Sequence, residues 1–270
     1  MDFWPEVSVE QPSEPGEAGP ASARRAGKVG YGIDDPRTIA ELAIAGVLSV
    51  AVGLLITYYT SESSPSIAAT AILVGPGVGF LIMVVTAALY WSSRLGKVRE
   101  MGRIIGQVPW GGEEVVLDLG CGRGLATVMA ARHLVTGYAV GVDLWSKARI
   151  SGNDPNSLIA NAEAEGVGSK VLGLKAFTTS LPLSDRSVDV VLSGLSMHHL
   201  VPRRQRDALF AEVARVLKDG GRVGILDAGN GNEYSKMLRQ TGFRDVVMHR
   251  LRFSSFPPFH VVLARKPYGE

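Results

Sequence analysis

What this sequence has least of is thiol chemistry: its 270 residues contain one cysteine, Cys121. A single cysteine makes no intrachain disulfide and no cysteine-built metal site, and it is compatible with a reducing compartment. Histidine does not fill that gap, because His133, His249 and His260 show no metal-ligand grouping, and no metal is expected. Charge of one sign is lacking too. Lys and Arg number 28 against 26 Asp and Glu, and the positive residues are dispersed rather than gathered into a stripe. No basic groove interleaved with aromatics is present, so nucleic acid is not the expected partner.

The most telling absence is local. The run "IAELAIAGVLSVAVGLLITYY", Ile39 to Tyr59, carries one charge, Glu41, and "IAATAILVGPGVGFLIMVVTAALYW", Ile67 to Trp91, carries none. Each is near the roughly 20 residues that cross a hydrocarbon core of about 30 Å. Tyr58, Tyr59, Tyr90 and Trp91 close the runs, where aromatic rings prefer the lipid–water boundary. Pro76, between Gly75 and Gly77, is expected to kink or loosen the second helix, which membrane helices tolerate. The link "TSESSPS" has no basic residue, whereas Arg24, Arg25, Lys28 and Arg37 precede the first run and Arg94, Lys97, Arg99 and Arg103 follow the second. The positive-inside rule places both flanks in the cytosol and the link outside. A signal peptide does not fit, since the first run starts late, is long, and is followed at once by another.

Residues 1–37 hold Pro12, Pro15 and Pro20 with Gly, Glu and Ser and no sustained periodicity, and are expected to form a disordered tail. Phe3, Trp4 and Pro5 are either a docking handle or incidental. Residues 38–93 are expected to be the hairpin and 94–111 a basic juxtamembrane linker. There Leu95, Val98, Met101, Ile104, Ile105 and Val108 recur at helical spacing. Two readings stand side by side: a helix drawn to anionic lipid, or a connector packed on the next domain.

From residue 112 to 270 strand and helix alternate. Strands are predicted at Val115–Leu119, Tyr138–Asp143, Lys170–Lys175, Val188–Ser193, Arg222–Asp227, Arg244–His249 and His260–Arg265. Helices are predicted at Leu125–Leu134, Pro155–Glu165, Arg203–Leu217 and Glu233–Thr241. The fold class is therefore α/β, a doubly wound, seven-stranded, mostly parallel sheet, preceded by an all-α two-helix transmembrane hairpin. The last two strands are joined by too few residues for a crossover helix, so they should pair antiparallel and mark an edge of the sheet.

The first strand runs into "VVLDLGCGRG". A dinucleotide fold wants G-x-G-x-x-G. The third glycine would fall at residue 125, which is Leu125; the spacing is instead Gly120, Gly122 and Gly124, preceded by Asp118. An acid there suits an ammonium group and repels a pyrophosphate. Asp143 ends the second strand, 25 residues after Asp118, where an acid accepts from ribose hydroxyls. S-adenosylmethionine, a nucleoside carrying an amino acid and a positive centre, fits all three features.

"VVLDLGCGRG", "AVGVDLW", "LPLSDRSVDVVLSGLSMHHL" and "RVLKDGGRVGILDAG" resemble successive motifs of class I (Rossmann-like) S-adenosylmethionine-dependent methyltransferases. The resemblance covers about Gly112 to Lys266. It is similar in detail to membrane-anchored bacterial methyltransferases of unassigned substrate, in the type 11 group, and more distantly to quinone-biosynthesis C-methyltransferases. It implies that Asp118, Gly120, Cys121, Gly122 and Gly124 line the methionine end of the cofactor. Asp143 would hold the ribose, and Leu144 would lie beside the adenine. Family members usually carry an Asp where this chain has Phe177; Thr178 or Thr179 would substitute, or the ring would stack on the base. Ser193, ending the fourth strand, completes the cofactor set. The lone Cys121 reads as a small residue between glycines rather than a nucleophile, and counts against arsenite methyltransferases.

In such enzymes the cofactor carries the activated methyl, and the protein supplies orientation and a dry pocket. An oxygen or acidic-carbon acceptor calls for a base, and His198 and His199 follow the fourth strand at the sheet's ligand-binding edge. Asp227, ending the fifth strand, either polarises an acceptor or caps the next helix. Asp185 and Arg186 read as a turn, and Asp189 as a strand acid facing a backbone or basic partner. The expectation is thus a membrane-anchored methyltransferase with a small, lipophilic acceptor and a cytosolic catalytic domain, its oligomeric state open. A non-catalytic cofactor-binding membrane protein and a nicotinamide-dependent reductase are the rivals.

Overall fold

The computed structural model describes residues 29–146, 152–200, 202–250, 255–256 and 258–268. Phe3, Trp4, Pro5 and the tail as far as residue 28 lie outside the described residues.

Two long helices come first. α1 (Pro36–Thr60) is capped by Asp35, whose carboxylate accepts from the Thr38 N–H at 3.4 Å, with Pro36 in the first helical position where no N–H is needed. α2 (Pro65–Trp91) also opens on a proline and runs unbroken through Pro76. At 1.5 Å per residue, 25 and 27 residues reach about 37 and 40 Å, longer than a hydrocarbon core of about 30 Å. Glycines let the two backbones touch. A methyl at Gly53 would lie 2.8 Å from Gly75 Cα, and one at Gly75 would lie 2.6 Å from Gly53 Cα. The Ser49 hydroxyl donates to Gly75 O at 3.0 Å, and that of Thr57 to Ala68 O at 3.2 Å, so polar side chains bind helix to helix. Leu48, Leu55, Leu73, Phe80 and Leu81 face outward and exposed. Both helices are long and apolar enough to cross a membrane.

A π-helical turn, Ser92–Gly96, leads into α3 (Lys97–Ile105). Met101, Ile104 and Ile105 of α3 are buried in the core beside the sheet, so the segment is a packed connector. Arg94, Arg99 and Arg103 remain on its surface. Lys97 does not: its Nζ donates to Tyr31 O and Gly32 O, both at 3.2 Å, and to the Asp34 carboxylate at 3.0 and 2.9 Å. The tail boundary expected at residue 37 therefore moves. Gly30 N–H donates to Asn161 Oδ1 at 3.2 Å, and Tyr31 packs on the core. The physical reason is Lys97 itself, since a buried ammonium needs oxygen partners and the Tyr31–Asp34 strap supplies them.

The rest alternates as predicted: β1 (Val115–Leu119), α4 (Leu125–Ala131), β2 (Tyr138–Asp143), α5 (Pro155–Ala164), β3 (Val171–Lys175), β4 (Val188–Gly194), α6 (Arg203–Val216), β5 (Leu217–Asp227), α7 (Gly231–Gln240), β6 (Arg244–Arg250) and β7 (His260–Arg265). One boundary differs clearly: α6 passes straight into β5, which begins at Leu217 instead of Arg222 and shifts register opposite Val188–Val190. The seven strands are ordered β3-β2-β1-β4-β5-β7-β6. β7 pairs antiparallel with both β5 and β6, and the other pairings are parallel. β6 forms the edge, with β7 slotted inside it. One face of β1 buries Leu117 and Leu119 with Phe210, Val213 and Tyr234 of α6 and α7. The other buries Val116 with α3, α4 and α5. The order reverses at β1, between β2 and β4, which places a crevice at the carboxyl ends of those strands.

Candidate active site

The turn after β1 is made by three glycines that a side chain would not allow. Gly120, Gly122 and Gly124 have φ of 70°, 54° and 85°, all left-handed. Two of them also let a neighbour close in: a Cβ at Gly120 would lie 2.3 Å from Ser196 Cβ, and one at Gly124 would lie 2.2 Å from Leu158 Cδ1. The turn is stitched to β2 by Gly120 N–H to Val142 O at 2.8 Å and Gly122 N–H to Asp143 Oδ2 at 2.9 Å.

Asp118 sits beneath it, 1% exposed. One carboxylate oxygen accepts from the Thr127 N–H at 2.9 Å and the Thr127 hydroxyl at 2.6 Å. The other, Oδ1, is buried with no partner and borders a small cavity of about 30 Å³ shared with Gly120, Cys121, Tyr31, Asp34 and Lys97. Burial pushes the Asp118 carboxyl from 3.8 up to about 6, Thr127 pulls it back, and the charge of Asp143 adds to the rise. Burial, then Asp118 and Asp143, drive the Cys121 thiol well above its ordinary value, so it stays protonated.

A larger cavity of about 300 Å³ adjoins the turn. Gly120, Asp143, Leu144, Phe177, Thr178 and Thr179 line it, together with Ser196, Met197 and His199. Its size is at the lower end of the roughly 300–1,000 Å³ of small-molecule pockets. Asp143 is already braced by its own loop, accepting from the Trp145 N–H at 2.6 Å as well as from Gly122. Trp145 in turn donates its indole N–H to Gly122 O at 3.0 Å, clamping the turn.

At the ends of β4 and β5 stands a histidine–aspartate pair. His198 Nδ1 lies 2.6 Å from Asp227 Oδ1, and the His198 backbone N–H donates to Asp227 Oδ2 at 2.9 Å. Asp227 is fully buried and also accepts from Ala228 N–H at 2.7 Å and Tyr234 OH at 3.3 Å. An ionised carboxylate only accepts, so Nδ1 carries the proton and Nε2 is left basic. Burial, then Asp227, raises the Tyr234 phenol, which keeps it a donor. The His199 ring lies 3.9 Å from that of His198. His199 lines the 300 Å³ cavity and also a second of about 220 Å³, which His198 shares.

The structure thus brings Asp118, Gly120, Cys121, Asp143, Leu144, Thr178, Thr179, His198 and His199 to one sheet edge. Gly122 and Gly124 serve the backbone of the turn. Ser193 is the exception: it is fully buried, donating to Leu119 O at 3.0 Å and lying 2.8 Å from the Ser196 hydroxyl. Ser196, three residues on, lines the cavity and Ser193 does not. The strand residue points into the sheet's packing; the residue after the strand reaches the crevice. Asp227 as the partner of His198 was not read from the sequence, nor was the Tyr31–Asp34 wall beside Asp118. An acid ending one strand and a histidine following the adjacent one is a signal only once strand order is known. Asp189, by contrast, meets both partners its position implied: Val115 N–H at 2.9 Å and Lys218 Nζ at 2.8 Å.

Residues 117–225 match a family model described as a methyltransferase domain. An arsenite methyltransferase of Halobacterium salinarum is 37% identical over 119 residues, 42% of this chain and 27% of that protein. The chloroplastic 2-phytyl-1,4-beta-naphthoquinone methyltransferase of Arabidopsis thaliana is 31% identical over 130 residues, 47% of each chain. The chain spans less than half the length of these relatives. Among solved structures, a geranyl diphosphate C-methyltransferase from Streptomyces coelicolor is 18% identical, covers 67% of this chain and 81% of its own, and superposes with a TM-score of 0.51, a likeness of fold. Motif, sheet order and family model agree, and the domain containing residues 117–225 belongs to the class I S-adenosylmethionine-dependent methyltransferases.

Proposed function

We propose that the whole chain is a membrane-anchored methyltransferase that binds S-adenosylmethionine at the glycine turn and acts on a small, lipophilic acceptor. The observation that carries the cofactor reading is Asp118 Oδ1, a buried carboxylate oxygen without a partner, bordering a cavity at the foot of three left-handed glycines. An ammonium group satisfies that oxygen; a pyrophosphate does not. In this reading Asp118, Gly120 and Cys121 surround the amino-acid end, Asp143 takes the ribose hydroxyls, and Leu144, Phe177, Thr178 and Thr179 face the base.

When bound, the cofactor would supply an electrophilic methyl carried on a sulfonium, with a neutral thioether as its leaving group. The chain's own residues do the rest. His198 Nε2 takes the acceptor proton, and Asp227 fixes the ring and stabilises the imidazolium. His199 stands between the two cavities and orients the acceptor against the cofactor side. The same pair argues against a purely structural binding protein, which has no use for an oriented base.

The hairpin sits in the bilayer, with the 61–64 link outside and the catalytic domain in the cytosol. The uncharged exposed faces of α1 and α2 and the basic residues on their flanks support this placement.

Calorimetry on the full chain in detergent should give micromolar S-adenosylhomocysteine binding and none for NAD. Membrane extract incubated with methyl-labelled cofactor should then yield a labelled, lipid-extractable product. Retention of NAD with indifference to S-adenosylhomocysteine would overturn the reading.

A further inference from the structure

The cavity of about 220 Å³ beside His198 is built by both halves of the molecule. Ile39 of α1, Leu89 of α2 and Ser92 of the π-helical turn form one wall; His198, Phe256 and Phe259 form the other. A catalytic domain with an independent anchor would keep its pocket to itself. Here the cytosolic ends of the two apolar helices close the pocket next to the histidine–aspartate pair.

Two further observations point to a ligand in it. Ser92 is 3% exposed, and its hydroxyl is buried without a hydrogen-bond partner. A buried, unsatisfied hydroxyl costs about 1–3 kcal/mol, so it marks a place where a polar group belongs. Ser92 also begins the π-helical turn that interrupts an otherwise continuous helix from α2 into α3, the kind of irregularity that re-aims side chains at functional sites.

Depth narrows the chemistry. Tyr90 and Trp91, exposed at the end of α2, mark the lipid–water boundary, and Ser92 is the next residue. A molecule dissolved in the bilayer presents its polar head at this level and its tail among α1 and α2. Size narrows it further. A cavity of roughly 150 Å³ holds benzene. The present cavity therefore takes one ring with small substituents, and is too small for the head and glycerol of a two-chain phospholipid.

We infer that this junction is the acceptor site, and that its occupant is a ring-headed, single-tailed amphiphile, a phenol or hydroquinone drawn laterally from the cytosolic leaflet. The ring hydroxyl donates to His198 Nε2, the Ser92 hydroxyl holds a second ring oxygen, Phe259 flanks the ring, and the tail leaves past Ile39 and Leu89. This assignment deepens the proposed function and rests on it for the role of the base.

The test reads binding, not methyl transfer, so the two can fail separately. The full chain is reconstituted in phosphatidylcholine vesicles with a long-chain alkylphenol bearing a diazirine beside the ring, irradiated, and mapped by peptide mass spectrometry. Label is expected on peptides containing Leu89–Ser93 and Phe256–Phe259. Filling the cavity with Leu89→Trp or, separately, Ile39→Trp should cut that label by about tenfold, leaving label near the outward-facing Phe80 and S-adenosylhomocysteine affinity unchanged. Ser92→Ala should cut it by a few-fold. Label confined to outward helix faces, or equal capture of a diazirine phosphatidylcholine by the cavity, overturns the inference. Phenol capture by a chain that ignores S-adenosylhomocysteine would sink the methyltransferase reading and leave this site standing.

Discussion

An ionised Asp118 inside the protein is costly, and the direction of that cost separates a structural acid from a binding one. Its folded-state value, about 6, lies above the ordinary 3.8. The native state therefore holds the proton more tightly than the unfolded chain, and stability falls as pH rises from about 4 through 6 and is flat above. At about 1.4 kcal/mol per unit, the penalty at neutral pH is on the order of 3 kcal/mol. Asp118→Asn removes the charge and keeps an acceptor for Thr127, so the unliganded variant should melt no lower than the parent at pH 7.5. Its S-adenosylhomocysteine affinity should fall at least tenfold, since a charge-assisted hydrogen bond is lost. Affinity of the parent should climb as pH rises through about 6 and then level, and calorimetry across pH should find that slope missing in the variant. A variant with lower melting temperature and intact affinity would make Asp118 a structural residue.

His198 and Asp227 form a unit at the same scale. His198→Ala and Asp227→Asn should each lower kcat by roughly 10²–10⁴-fold with cofactor affinity near the parent value. The double variant should be little worse than His198→Ala alone, because the aspartate acts through the imidazole. Steady-state kinetics beside calorimetry decides; additive losses would give Asp227 a separate role.

At the scale of elements, local pattern carried far. The ends of β1, β2 and β7 match the sequence reading to the residue, because the apolar runs stop at acids and glycines in β1 and β2 and are bracketed by Pro258 and Pro267 in β7. β5 is the exception: Leu217 pairs with Val188 of β4, but the ladders with β4 and β7 resume only at Arg222, so "LKDGG" carries a real irregularity, with Gly220 left-handed at φ 80°, and only the isolated Leu217 pairing lies beyond local propensity. The hairpin is the other element-level case. Gly53 and Gly75 put backbone against backbone, so Gly75→Leu has no room. Overpacking costs about 1–3 kcal/mol, and thermal stability in detergent should drop while S-adenosylhomocysteine affinity of the domain persists. Leu73→Ala, on an exposed face, should change neither.

For the whole molecule the question is which side of a membrane holds which part. Cys121 is buried, so introduced cysteines report cleanly. In intact cells an impermeant maleimide should label Ser63→Cys in the short link and spare Val135→Cys on the catalytic domain until the membrane is opened. The reverse pattern would invert the topology. This scale also explains what the sequence could not deliver. The strap from Tyr31 to Asp34 looked like tail because its composition matches the residues before it, and nothing local announces a buried Lys97 waiting 63 residues on.

The chain alone determined most of the elements and the glycine turn, since these rest on short-range rules: hydrophobic period, the steric freedom of Gly120, Gly122 and Gly124, and the placement of acids at strand ends. Only the tertiary structure decided that Asp227 meets His198, that Ser196 rather than Ser193 reaches the crevice, and that the ends of α1 and α2 wall a cavity beside His198. Those juxtapositions depend on strand order and on how α1, α2 and the sheet pack, and contacts between residues far apart in the chain leave no periodic trace in it.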